Sequence, residues 1–159
     1  MRLAGIVRDS IVDGIGVRDV IFLQGCSKRC EGCHNSQTWD YRGGEHRFLG
    51  DVVKELSESS NNITISGGEP FDQFPTVLEL CKQFKKQGKT VWIYTGNIVE
   101  PTKYPYKSLF KLVDVIVDGR FVMDLKDPNL KFRGSSNQRL IDLTKSVKAR
   151  KVILWEESM

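Results

Sequence analysis

Apolar positions recur along this chain with two periods, and the period switches from one segment to the next. Val20-Ile21-Phe22-Leu23 is a short unbroken apolar run, which predicts a buried strand. Leu49, Val52, Val53 and Leu56 fall at i, i+3, i+4 and i+7, the apolar face of a helix. Asn62 to Ser66, with Ile63 and Ile65 alternating, predicts a second strand that ends at a glycine pair. Val77, Leu80, Cys81 and Phe84 form a second helical face, entered through Pro75 and stopped by Gly88. Thr90 to Tyr94 reads as a third strand, Leu109, Leu112 and Val113 as a short helix, and Asp114 to Val117 as a fourth strand. After a turn-rich passage from Asp124 to Ser136, Leu140, Leu143 and Val147 predict a last helix capped by Ser136 or Asn137. Lys151 to Trp155 closes the series as a strand.

Strand and helix patterns in alternation are the signature of βα units on a mainly parallel sheet, the α/β class. The count gives about five βα units in an open, partial barrel, well short of the roughly 250 residues of a complete eight-unit one. Residues 1–159 are expected to form one domain, with no linker, repeat or low-complexity segment. In parallel sheets, ligands bind at the carboxyl ends of the strands. The segments Cys26 to Cys33, Gly67-Gly68-Glu69-Pro70, Thr95-Gly96 and Asp118-Gly119 all follow predicted strands, so they are expected to gather on one rim.

Composition narrows the function classes. No apolar stretch approaches the roughly 20 residues of a membrane span, and the first eight residues have no apolar core of the signal-peptide kind. The formal charge of +4 is mild. Lys82, Lys85, Lys86 and Lys89, and then Lys145, Lys148, Arg150 and Lys151, have the spacing of solvated helix faces, without the interleaved aromatics of a nucleic-acid groove. No nucleic-acid partner is expected.

Four cysteines, three of them clustered, point to a reducing cytoplasm rather than a disulfide scaffold. Cys26, Cys30 and Cys33 have the spacing CxxxCxxC on the loop that leaves the first strand, where curling backbone turns three thiolates toward one centre. His34 would complete a Cys3His zinc set, although zinc ligands usually come as two separated pairs. Three cysteines on a four-iron cluster instead leave one iron open to a substrate. Cys81 lies on the buried stripe of its helix and reads as a core residue.

CxxxCxxC after a first strand, with Gly67-Gly68-Glu69-Pro70 after a second, resembles the radical S-adenosylmethionine superfamily. Cys33-His34-Asn35-Ser36-Gln37-Thr38-Trp39-Asp40, Val117-Asp118-Gly119-Arg120-Phe121 and Phe132-Arg133-Gly134-Ser135-Ser136-Asn137-Gln138-Arg139 resemble, within it, the activating proteins of anaerobic (class III) ribonucleoside-triphosphate reductase. The resemblance implies a radical SAM-type partial barrel and a 4Fe–4S cluster held by Cys26, Cys30 and Cys33. The fourth iron would chelate S-adenosylmethionine, and one-electron cleavage would give a 5′-deoxyadenosyl radical that takes a glycine Cα hydrogen from the large subunit of the reductase. A low-potential donor such as flavodoxin would supply the electron.

Cofactor contacts implied are Gly67 and Gly68 by close backbone approach, Glu69 to the methionine ammonium, Pro70 by stiffening the turn, and Thr95 and Asp118, with Arg120 beside them, near the carboxylate and ribose. The superfamily commonly has an aromatic residue just before the third cysteine; here it is Gly32, and His34 and Trp39 are the candidates for its stacking role. The strip Lys126 to Arg139 is expected to form part of the docking surface for the reductase. The rival readings are a radical SAM enzyme with another substrate and a closed zinc module.

Overall fold

The computed structural model describes residues 1–157. Seven strands form one sheet: β1 (Arg2–Ser10), β2 (Arg18–Leu23), β3 (Glu45–His46), β4 (Asn62–Gly67), β5 (Val91–Tyr94), β6 (Val115–Asp118) and β7 (Arg139–Asp142). Three helices accompany them: α1 (Leu49–Ser57), α2 (Phe74–Lys86) and α3 (Leu143–Ala149). The strand order is β3-β1-β2-β4-β5-β6-β7, so the sheet is open, with β3 and β7 at its edges. β2, β4, β5 and β6 run parallel, and the flanking strands pair antiparallel.

One row of residues records the register. Ile21, Ile65, Ile93, Ile116 and Ile141 are successive cross-strand partners on five strands, and all are fully buried. β-branched chains suit a pleated surface, and each fully buried isoleucine contributes about 1.5–3 kcal/mol of transfer energy. α1 covers this row with Val52, Val53 and Leu56, and α2 with Val77, Leu80, Cys81 and Phe84, the apolar stripes read from the sequence. On the other face Trp92, Val115 and Val117 pack with Tyr94, Phe132, Leu140 and Trp155 in a smaller aromatic patch.

Several expectations need correction. β1 is a full strand where none is predicted; as an antiparallel neighbour of β2 it is buried irregularly and shows no clean alternation. Residues 139–142 are strand β7, because Ile141 pairs with Ile116, so the last helix begins at Leu143. Its cap is Asp142, whose carboxylate accepts the Lys145 N–H at 2.9 Å, not Ser136 or Asn137. The predicted strand Lys151 to Trp155 contributes one bridge, Leu154 to Ile141. The predicted helix around Leu109 to Val113 is a single 3-10 turn, Tyr106–Leu109. The parallel core therefore holds four strands rather than about five βα units. Lys89 is not on a solvated face: it is buried, and its ammonium donates to the carbonyl of Leu56 in the last turn of α1 and to those of Ser59 and Asn61 beyond it.

Candidate metal centre

The four parallel strands end at Leu23, Gly67, Tyr94 and Asp118, and the loops leaving them border a common cleft of ≈ 120 Å³. Cys26, Cys30 and Cys33 come from the loop after β2, Gly67, Gly68 and Glu69 from the turn after β4, Thr95 and Gly96 from after β5, and Gly119 and Phe121 from after β6. The rim expected from strand register is therefore present, at the carboxyl ends of the strands.

The cysteine loop is pinned at its base. Gly25 N–H donates to Thr38 O at 2.6 Å and Cys26 N–H to Trp39 O at 3.1 Å, while Gly25 O accepts Glu69 N–H at 2.8 Å. Asp72, at the start of the segment leading into α2, takes the Ser27 N–H at 2.9 Å, the Ser27 hydroxyl at 3.0 Å and the Tyr41 hydroxyl at 2.6 Å. Beyond this base the loop curls: Arg29 has φ 48° and Gly32 φ 77°, and Cys33 N–H closes a turn on Cys30 O at 3.1 Å.

All three thiols are free, Cys26 buried and the other two half-buried. Burial pushes the Cys30 thiol up; the Phe121 N–H opposes this, neighbouring Cys26 and Cys33 reinforce it, and Arg120 draws it down. Asn35 N–H points at Cys33 Sγ from 3.4 Å. Three thiols of one cleft, near enough to oppose ionisation at Cys30 and supplied with backbone N–H donors, are the donor set a thiolate-bound iron cluster needs. Among the described residues no three His, Cys, Asp or Glu side chains are set closely enough to hold a single metal ion, so the three thiols share the cleft without converging on one point.

Gly67-Gly68-Glu69-Pro70 is packed directly beneath this loop. A Cβ on Gly68 would lie 2.4 Å from Gly25 O, and one on Gly67, whose φ is 145°, would lie 2.4 Å from Leu23 O. Glu69 is 1% exposed. Its carboxylate accepts the Thr95 hydroxyl at 2.8 Å, Gly96 N–H at 2.7 Å and Phe71 N–H at 2.9 Å. Burial pushes its pKa up, and these bonds oppose the shift. Three donors on about four lone-pair sites leave capacity for one more. Pro70 is buried at the start of the 3-10 turn that follows.

The remaining expected site residues are dispersed. Asp118 is fully buried and does not line the cleft; it is occupied by Arg139, at 2.6 and 3.0 Å, and by Val99 N–H. His34 is exposed and borders the adjoining groove, with its ring 5.7 Å from that of Phe121. Trp39 does line the cleft, and its Nε1 is buried with no hydrogen-bond partner among the described residues. Sequence reasoning assigned no role to Asp72 or Phe121, and placed Gln138 only in the docking strip. Gln138 lines the cleft and ties Gly119 O to the Gly134 and Ser135 N–H groups. Their signal is tertiary: Asp72 binds Ser27 and Tyr41, Phe121 packs beside His34, and Gln138 reaches Gly119 from the turn before β7.

Residues 12–141 match a family model described as a 4Fe-4S single cluster domain. The anaerobic ribonucleoside-triphosphate reductase-activating protein of Escherichia coli K12 is 35% identical over 138 residues, covering 80% of this chain and 90% of that protein. The protein of the same name from Enterobacteria phage T4 is 35% identical over 146 residues, covering 86% and 90%. That of Vibrio cholerae is 32% identical over 139 residues, covering 80% and 89%.

Proposed function

The chain belongs to the 4Fe–4S single-cluster family and, within it, to the anaerobic ribonucleoside-triphosphate reductase-activating proteins, and we propose that it is a glycyl-radical activating enzyme of the radical SAM type. The observation that carries this is the meeting of Cys26, Cys30 and Cys33 with Gly67, Gly68 and Glu69 on one cleft. The open α/β sheet is, in this reading, the partial barrel of that superfamily, and residues 1–159 act as a single domain.

Cys26, Cys30 and Cys33 would hold a 4Fe–4S cluster by three of its irons, leaving one iron open to S-adenosylmethionine. The chemistry these groups bring when bound is one-electron cleavage of S-adenosylmethionine to methionine and a 5′-deoxyadenosyl radical, which removes a glycine Cα hydrogen from the reductase. Glu69 offers its remaining lone pair to the methionine ammonium, a charge-assisted bond. Thr95 and Gly96 hold that carboxylate in place. Gly67 and Gly68 let the backbone approach the ligand, and Pro70 fixes the turn behind them. Asp118, which holds Arg139, and His34, which borders the adjoining groove beside Phe121, would contribute to the carboxylate, ribose and adenine end of the ligand.

The partner is the large subunit of anaerobic ribonucleoside-triphosphate reductase, received along the strip from Lys126 to Arg139. A low-potential carrier such as flavodoxin supplies the electron. The compartment is the cytoplasm, where thiols stay reduced; no described helix is long and apolar enough to cross a membrane. The test is anaerobic reconstitution with iron and sulfide, reduction, addition of S-adenosylmethionine and assay of 5′-deoxyadenosine. Product is expected from the wild type and not from Cys30→Ala. Absence of product from wild-type protein that holds its iron overturns the proposal.

A further inference from the structure

Beyond α3 the chain turns back along β7 and sets one aromatic ring against the turn-rich passage that precedes that strand. Trp155 N–H donates to Leu140 O at 2.8 Å and Asp142 N–H to Ile153 O at 2.9 Å, so the backbone of this tail is tied to the edge of the sheet. The half-buried Trp155 ring meets two others edge-on, Trp92 of β5 at 5.1 Å and Phe132 at 6.2 Å between centroids, and those two stand 5.3 Å apart. Tilted contacts of this kind are a favoured arrangement of aromatic rings. Trp92 gives the triad a fixed floor: it is fully buried, and the Arg18 guanidinium lies over it, 5.6 Å from the ring centre. That guanidinium is itself held by Thr64 Oγ1 at 2.8 Å, Ile63 O at 2.7 Å and Thr90 O at 3.0 Å.

Phe132 connects this floor to the site. It belongs to a segment, residues 128–134, that borders a groove of ≈ 650 Å³, and Ser66 and Tyr94 line both that groove and the cleft of the three cysteines. The Tyr94 hydroxyl donates to Phe132 O at 2.7 Å, while Trp155 packs on the Phe132 ring. Next to it, Lys131 pairs with Glu157 at 2.5 Å. That pair is exposed and contributes little, so the ring contact carries the grip. Trp155 and Glu157 both lie outside residues 12–141, the stretch that matches the family model. We propose that Trp155 is a positioning residue for the protein substrate: through Phe132 it fixes the segment 128–134 beside Tyr94 and so sets the shape of the surface that meets the partner. This rests on the reading above that the reductase is received along the strip from Lys126 to Arg139. Trp155 does not line the cleft, so its loss should spare cleavage of S-adenosylmethionine and weaken only the use of the partner.

The experiment uses anaerobically reconstituted wild type, Trp155→Leu, which keeps an apolar side chain and loses the ring, and Trp155→Phe, which keeps a ring. Three quantities are measured: 5′-deoxyadenosine formed with a chemical reductant and no reductase, the reductase concentration giving half-maximal glycyl-radical formation, and amide exchange at Leu130 and Gly134. Those two N–H groups are bonded to Asp127 O and Gln138 Oε1, so they report on the segment. For Trp155→Leu, product without reductase is expected within about 2-fold of wild type and the half-maximal reductase concentration about 10-fold higher, with faster exchange at both amides; Trp155→Phe should stay within about 3-fold of wild type throughout. The inference is overturned if Trp155→Leu needs no more reductase than wild type, if product without reductase falls by the same factor as activation, if the two amides exchange as in wild type, or if Trp155→Phe fails like Trp155→Leu. Wild-type protein that cleaves S-adenosylmethionine but raises no radical on the reductase would overturn the underlying reading of the partner, a result distinct from these.

Discussion

The buried carboxylate of Glu69 accepts the hydroxyl of Thr95 at 2.8 Å, and this bond joins the loop after β4 to the loop after β5. Because burial raises the Glu69 pKa, the folded protein keeps this proton to higher pH than the unfolded chain does. Stability from this group therefore falls as pH rises from the unfolded glutamate value, about 4.3, through the raised folded value, and is level above it. Glu69→Gln has no proton to lose there, so denaturant unfolding of the variant should lack that component of the slope. At neutral pH it should cost about 1–3 kcal/mol, since its amide N–H2 must face the N–H of Phe71 or Gly96.

Asp118 and Arg139 form a two-bond ion pair at 2.6 and 3.0 Å, with the carboxylate fully buried and the guanidinium partly exposed. It ties β6 to β7 at the level of the site. Asp118→Ala removes both bonds and leaves the buried Val99 N–H without its acceptor, and should cost about 1–3 kcal/mol, while Arg139→Lys, unable to make the bidentate contact, should cost less. Thermal unfolding of the two variants measures the order.

Gly68→Ala and Gly50→Ala should differ in sign. A Cβ at residue 68 meets the Gly25 carbonyl at 2.4 Å, backbone against backbone, so the cysteine loop must move; stability should fall by at least about 1–3 kcal/mol and iron loading should fall with it. At Gly50, in α1, nothing lies within 4 Å, and alanine should stabilise by about 0.5–1 kcal/mol.

Asp72 holds the first half of the cysteine loop through Ser27 and Tyr41. Asp72→Ala should lower iron retained after gel filtration severalfold, and Tyr41→Phe, which removes one of the three bonds, should lower it less. Equal, full retention in both would show that the loop is positioned without this clamp.

Strand ends were the part of the fold most open to sequence reading, because a buried parallel strand must be continuously apolar and its ligand loop must follow directly. Val20 to Leu23 shows this, and Cys81, predicted as core, is fully buried with its thiol pushed up by desolvation. Periodicity misled at Leu140, which shares a helical spacing with Leu143 and Val147 but lies in β7, where pairing with Val117 decides. The partners of Glu69, Asp118 and Asp72 were not legible, since each carboxylate is bound by groups between 19 and 45 residues away. Phe121 likewise acquires its place only when Gly32 and Gly134 are brought to either side of it.

The most direct test is electron paramagnetic resonance of the anaerobic reductase after incubation with the reduced, reconstituted protein and S-adenosylmethionine. A glycyl-radical doublet on the reductase is expected, dependent on S-adenosylmethionine and missing with Cys30→Ala. Formation of 5′-deoxyadenosine with no radical on the reductase would contradict the assignment of the partner, and a radical formed equally by Cys30→Ala would contradict the cluster.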